Sequence, residues 1–123
     1  MRRFALPVAI ALLGFAGAAQ AHPKLVSASP AFNATVAKPA RVALQFSEKL
    51  MPKFSGADLM MTGHGGKMHP PMKVAATAGV ANDGRTLVLT PKSPLGPGRY
   101  SVAWHVVSAD THRIAGNFAF AVK

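Results

Sequence analysis

Arg99-Tyr100-Ser101-Val102-Ala103-Trp104-His105-Val106-Val107-Ser108 is the stretch that decides the fold. Its large apolar side chains, Tyr100, Val102, Trp104 and Val106, recur at every second position, with Ser101, Ala103 and His105 between them. Successive side chains of a strand point to opposite faces, so this spacing lays all four on one side of a sheet. Trp104 therefore reads as core. His105 falls on the opposite face, at or near the surface.

The same period of two extends outward in both directions. Ile114 to Val122 closes the chain with Phe118, Phe120 and Val122 facing one way. Upstream, Val42, Leu44 and Phe46 alternate with Arg41, Ala43, Gln45 and Ser47. Leu25-Val26 opens a first strand that Ser29-Pro30 stops, and residues 56–62 supply another. Lys73 to Val80 and Thr86 to Thr90 flank Asn82-Asp83-Gly84, a hairpin turn signal. Residues 93–98, rich in proline and glycine, form a loop. About seven short strands at such spacing predict an all-β chain, a single Greek-key β-sandwich or barrel of immunoglobulin-like type. No stretch sustains a helical period, and no internal repeat or dividing linker is present.

The amino-terminal segment follows a different logic. Arg2 and Arg3 precede an apolar run from Phe4 to Ala18, and Ala19-Gln20-Ala21 fits the small-x-small pattern of a signal-peptidase site. Residues 1–21 are read as a cleaved signal peptide, and residues 22–123 as one exported domain. Export from a bacterial cell places that domain in the periplasm.

The full chain carries 14 basic and 4 acidic side chains. Without Arg2 and Arg3 the domain keeps a net charge of +8, as 12 basic against 4 acidic groups. The basic residues are dispersed singly, with no basic run and no interleaved aromatic platform, so a solvated surface explains them better than nucleic-acid binding. The chain has no cysteine. The core must hold by packing alone, and thiolate chemistry is excluded.

Histidine, methionine and aspartate remain as possible metal donors. Cleavage before His22 frees an α-amine beside an imidazole, and the two nitrogens can chelate one metal. Such donors suit Cu(II), which tops the affinity order of the divalent first-row ions. Pro23 has no amide N–H, so the metal must find further ligands elsewhere in the chain. Asp110-Thr111-His112 offers a carboxylate and an imidazole two residues apart, which an extended backbone directs to the same side. Together with His22 they complete a tetragonal N,O site. The competing interpretation of Asp110 is a plain turn residue at a strand end.

Residues 60–72 (Met60-Met61-Thr62-Gly63-His64-Gly65-Gly66-Lys67-Met68-His69-Pro70-Pro71-Met72) gather four methionines and two histidines among glycines and prolines. This composition reads as a loop, neither strand nor helix. One of the neighbours Met60 and Met61 points into the core, because adjacent residues face opposite sides. Met68 and Met72 have no core to fill there. Soft thioethers favour Cu(I), and imidazole tolerates it. Glu48, after a strand, reads as a local ion-pair or outer-shell metal group. Ser108, Asp110 and His112 are the residue types of a hydrolytic triad, but lie too close in sequence for triad geometry.

His22-Pro23-Lys24-Leu25-Val26-Ser27, Ser29-Pro30-Ala31, Leu44-Gln45-Phe46-Ser47-Glu48, the block from Trp104 to His112, and Gly116-x-Phe118-x-Phe120-x-Val122 together resemble the CopC family of periplasmic copper resistance and copper-handling proteins. The likeness covers almost all of residues 22–123. It implies a Greek-key β-sandwich and a Cu(II) site at His22, Asp110 and His112. It also implies a Cu(I) site, present in part of the family, that falls on Met61, Met68, His69 and Met72. His64 stands where a methionine is expected and Lys67 interrupts the run; His64 either substitutes as a ligand or leaves a weaker site.

The expected function is a periplasmic copper carrier or buffer, not an enzyme. Copper ions are its partners, and the resemblance adds a CopD-like inner-membrane protein and a periplasmic multicopper oxidase. Two alternatives use some of the same residues. One is a copper-dependent oxidoreductase resembling lytic polysaccharide monooxygenases, whose active site also chelates copper with a terminal histidine. The chain's short length, its lack of an aromatic carbohydrate-binding face and the position of Asp110 weigh against it. The other is a less selective zinc or nickel binder, which leaves the methionines unexplained.

Overall fold

The computed structural model describes residues 23–123. Residues 1–21, read from the sequence as a signal peptide, and His22 lie outside the described residues. Nine strands follow in order: β1 (Leu25–Ser29), β2 (Thr35–Val36), β3 (Val42–Phe46), β4 (Gly56–His64), β5 (Lys67–Val74), β6 (Ala76–Val80), β7 (Thr86–Pro91), β8 (Gly98–Val107) and β9 (Arg113–Val122). One 3₁₀ turn, Pro52–Phe54, joins β3 to β4. Among the described residues no helix is long and apolar enough to cross a membrane.

Two sheets form a sandwich. The four-stranded sheet runs β1-β3-β7-β6 and the five-stranded sheet β2-β9-β8-β4-β5. The alternating residues of β8 and β9 do what the period of two requires. Tyr100 pairs with Phe120 and Val102 with Phe118 in register, and all four are buried between the sheets. From the other sheet Val42, Leu44 and Phe46 of β3 and Leu87 and Leu89 of β7 close the core. Phe46 meets Trp104 edge to face, with ring centroids 5.1 Å apart. Trp104 pairs across the ladder with Gly116. A Cβ on Gly116 would lie 2.6 Å from Trp104 Cζ2, so only glycine leaves room for the indole.

The hairpin at Asn82-Asp83-Gly84 forms as its sequence requires. Gly84 has φ 72°, and the Asp83 carboxylate accepts from the amides of Arg85 and Thr86 at 2.8 and 2.9 Å.

Three elements differ from the sequence reading. Thr35–Val36 adds a short parallel edge to β9. The run from Lys73 to Val80 is not one strand: it breaks at Ala75, because β5 pairs with β4 in one sheet while β6 pairs with β7 in the other. The largest correction concerns the methionine-rich segment. It is no irregular loop but the β4–β5 hairpin. Gly65 and Gly66, with φ 59° and 78°, make the two-residue turn, the conformation that matches strand twist and that glycine adopts without strain. Pro70 and Pro71 are tolerated because β5 is the outermost strand of its sheet and the register shifts between Met61 and Gly63. Prolines, lacking an N–H, belong at such edges and bulges.

Candidate metal centre

The first centre is built by the turn between β8 and β9. Backbone bonds from Ser108 N to His112 O and from Thr111 N to Ser108 O, both 2.8 Å, fold residues 108–112 back on themselves. Thr111 takes φ 73° at its apex. Asp110 and His112 therefore converge through a tight turn, not through strand alternation. Asp110 Oδ2 lies 3.0 Å from His112 Nδ1. The other oxygen, Oδ1, accepts a hydrogen bond from the hydroxyl of Ser108, which is 1 % exposed. These two bonds, Ser108 first, hold the Asp110 carboxyl at about 2, well below the usual carboxylate range.

The turn thus presents a fixed anionic oxygen beside an imidazole nitrogen at the protein surface. Ser108 was not singled out as a supporting residue, and its only signal was its place within the S-x-D-x-H block. Among the described residues no three histidine, cysteine, aspartate or glutamate side chains gather closely enough to hold a metal ion. His22, the expected third member, lies outside the described residues.

The second centre is the β4–β5 hairpin. Met61 and Met72 are direct cross-strand partners, so their side chains share one face. That face is the inner one. Met61 also pairs with buried Tyr100, packs against the core, and reaches to 2.6 Å from where a Cβ on Gly98 would stand. Met61, rather than Met60, is the member of the adjacent pair that turns inward. Met72, nearer the open end, is 61 % exposed.

Met68 lies elsewhere. A Cβ on Gly63 would sit 3.3 Å from Met68 Sδ and 3.5 Å from Arg99 Cβ. The bulge therefore puts Met68 on the outer side with Arg99, 68 % exposed. His64 Nδ1 is 3.0 Å from Pro97 O, and His69 Nδ1 is 2.8 Å from Pro70 O. A carbonyl oxygen only accepts, so in both histidines Nδ1 donates, which in the neutral ring leaves the lone pair on Nε2. The hairpin brings Met61 and Met72 together, places Met68 across the sheet from them, and leaves two imidazoles with a free donor nitrogen.

His105 faces Gly56, its register partner. Glu48 is half-buried and makes no ion pair among the described residues.

The two-sheet β-sandwich has counterparts among known proteins. The CopC domain model matches residues 25–123.

The chain belongs to the CopC family.

Copper resistance protein C of Xanthomonas campestris pv. juglandis is 53 % identical over 103 residues, covering 84 % of this chain and 81 % of that protein. The crystal structure of PcoC, a methionine-rich copper resistance protein from Escherichia coli, superposes with a TM-score of 0.77 at 48 % identity, covering 84 % of this chain and 100 % of that one. CopC from Methylosinus trichosporium OB3b follows with a TM-score of 0.69 at 32 % identity, covering 83 % and 94 %. As a CopC-family β-sandwich, the chain carries its two donor-rich segments on turns at opposite ends of β8. The D-x-H turn follows Val107, and the methionine hairpin packs beside Gly98 and Arg99. At about 3.4 Å per residue the length of β8 separates them by about 30 Å.

Proposed function

We propose that this CopC-family protein is a periplasmic copper-binding protein of copper resistance or homeostasis, a carrier or buffer and not an enzyme. The single observation that supports this most is the Asp110–His112 pair. Two ligands about 2 Å from a metal, at adjacent corners of a square, stand about 2.8 Å apart. The 3.0 Å between Asp110 Oδ2 and His112 Nδ1 is close to that edge. A metal ion can replace the shared proton with little movement, and the imidazole and amine of a processed His22 would fill the remaining corners. This donor set suits Cu(II).

The β4–β5 hairpin is the proposed Cu(I) site. Met61 and Met72 would be its centre, with His69 and His64 as further donors on the same hairpin and Met68 joining only by crossing from the outer side of the sheet. The exposed thioethers of Met68 and Met72 add nothing to the core and suit a soft metal. Exchange with a CopD-like inner-membrane protein and a multicopper oxidase belongs to the same reading.

The monooxygenase alternative needs open coordination positions, and Asp110 would occupy one. An assay with ascorbate, oxygen and polysaccharide should give no copper-dependent oxidised sugar. The zinc or nickel alternative is tested by competition. Equimolar Cu(II), Zn(II) and Ni(II) should leave copper on the protein. Zinc or nickel retained in its place would overturn the copper reading.

A further inference from the structure

Beside the Asp110–His112 turn lies a groove of about 640 Å³ on the outer side of the five-stranded sheet. Its shape follows from local sequence. Gly56 leaves no side chain opposite His105, and a Cβ there would stand 3.2 Å from His105 Cε1. The missing side chain lets the His105 ring lie down over Gly56, and His105 and Val107 floor the groove. The Pro52–Phe54 turn raises one wall, on which Phe54 is 51 % exposed, and Arg113 at the start of β9 forms the other.

The charge of this groove is one-sided. Lys53 and Arg113 line it, both exposed, with half-buried His105 between them. Among the described residues no carboxylate lines it. Asp110, one residue beyond the lining Thr111, turns its oxygens to Ser108 and His112 instead. The groove is therefore a cationic trough with an exposed aromatic at its edge, ending one residue from both members of the proposed Cu(II) turn.

We propose that this groove is the docking surface for an acidic face of a copper-exchanging protein partner. The partner's carboxylates would meet Lys53 and Arg113, and an apolar side chain would pack on Phe54. This rests on the copper-carrier reading. A second copy of the chain fits poorly, because 12 basic and 4 acidic side chains outside the leader make like charges repel. A bilayer is flat and cannot fill a concave trough, whereas a side-chain cluster can. The position of Thr111 gives the site its use. A partner seated there holds its own metal donors next to His112, and Cu(II) can pass by ligand exchange without a change of oxidation state.

The test uses copper-free protein, expressed from the full-length chain and purified from the periplasm. The probe is a fluorescently labelled peptide with glutamates flanking one tryptophan. At low salt the peptide should bind, shift the amide resonances of Lys53, Phe54 and Arg113, and weaken steeply with added salt. Lys53→Glu with Arg113→Glu should weaken binding about tenfold or more, since reversing two contacting charges turns attraction into repulsion. Lys38→Glu with Lys92→Glu makes the same change in net charge at the other end of the sandwich and should cost less than about threefold. Equal losses in the two double variants would overturn the proposal, because net charge alone would then explain binding. So would unchanged resonances at the groove. Vesicles of anionic phospholipid are the competing probe: loss of vesicle binding in Lys53→Glu with Arg113→Glu, with peptide binding intact, would assign the groove to a membrane surface instead. A separate Cu(II) titration of the same proteins should give unchanged affinity. Wild-type protein that binds the peptide but no Cu(II) would remove the copper reading and with it the partner's role, a failure seen apart from loss of docking.

Discussion

Asp110 holds His112 by a hydrogen bond of 3.0 Å between Oδ2 and Nδ1, while buried Ser108 anchors the opposite oxygen of the same carboxylate. The turn is thereby set before any metal arrives. Asp110→Ala and His112→Ala should each weaken Cu(II) binding by more than about 100-fold, above the range for losing an outer partner, and leave Cu(I) binding nearly unchanged. Ser108→Ala should weaken Cu(II) less, by about 10–100-fold, because it frees Asp110 without removing a donor. Affinity measured by competition with a chelator checks all three. Loss of Cu(I) alone in either ligand variant would overturn the assignment.

The same turn fixes a pH dependence. The folded Asp110 carboxyl sits at about 2 against an ordinary 3.8. A depressed carboxyl stabilises the fold above its unfolded value, and that stabilisation is lost as pH falls from about 4 towards 2. Denaturation midpoints should decline over that window, and Asp110→Asn should flatten the decline. Cu(II) affinity should decline at higher pH than the acid window, because protons compete with the metal for imidazole and amine donors. A Cu(II) affinity that stays constant with pH until the acid window is reached would make the carboxylate, not nitrogen, the dominant donor.

The terminal amine carries its own test. One residue added before His22 blocks chelation by that amine. Such a protein should fold normally, with the same thermal midpoint, and lose most of its Cu(II) affinity. Equal affinity with and without the added residue would remove His22 from the site.

In the methionine hairpin, replacing Met61, Met68 and Met72 together by leucine keeps volume and apolarity roughly constant. The triple variant should keep its β-sheet circular dichroism and its Cu(II) site and lose Cu(I). Thioethers do not protonate, so wild-type Cu(I) binding should also persist at mildly acidic pH where Cu(II) is released. Unchanged Cu(I) affinity in the triple variant would reduce the methionines to packing.

Gly116→Ala tests the core. The added Cβ would stand 2.6 Å from Trp104 Cζ2 and 3.0 Å from Cε2. Overpacking of this kind costs about 1–3 kcal/mol. Urea denaturation should show that loss, together with a changed fluorescence of the single tryptophan. An unchanged midpoint would mean that the indole has room the packing does not suggest.

Strands β3, β8 and β9 were legible because their pattern is local: one face of each is apolar and buried, and period two follows directly. The hairpin at Asp83 was legible because its turn chemistry lies within three residues. Strand β4 was legible over residues 56–62, but β5 and the turn that joins them were not. Their glycines and prolines carry the composition of a loop, and β5 exists only because β4, fixed by Leu59 and Met61, offers it an edge to pair with. Such pairing is a tertiary event that no window of residues reports. The break at Ala75, where the chain changes sheets, is hidden for the same reason. At the D-x-H turn the residues were readable but their geometry was not. The side chains converge through the positive φ of Thr111, which a threonine does not announce. Ser108, whose hydroxyl anchors Asp110, was legible only as a triad residue type set aside for its spacing.

As proposed, the protein holds copper at two separate sites of different character. The most direct measurement is a count of bound ions after saturation with Cu(II) under air, and again with Cu(I) under strict anaerobiosis, on processed wild-type protein. The prediction is one Cu(II) that Asp110→Ala and His112→Ala remove, and one Cu(I) that they leave in place. No bound copper in either state, or one ion removed in both states by the same substitutions, would contradict it.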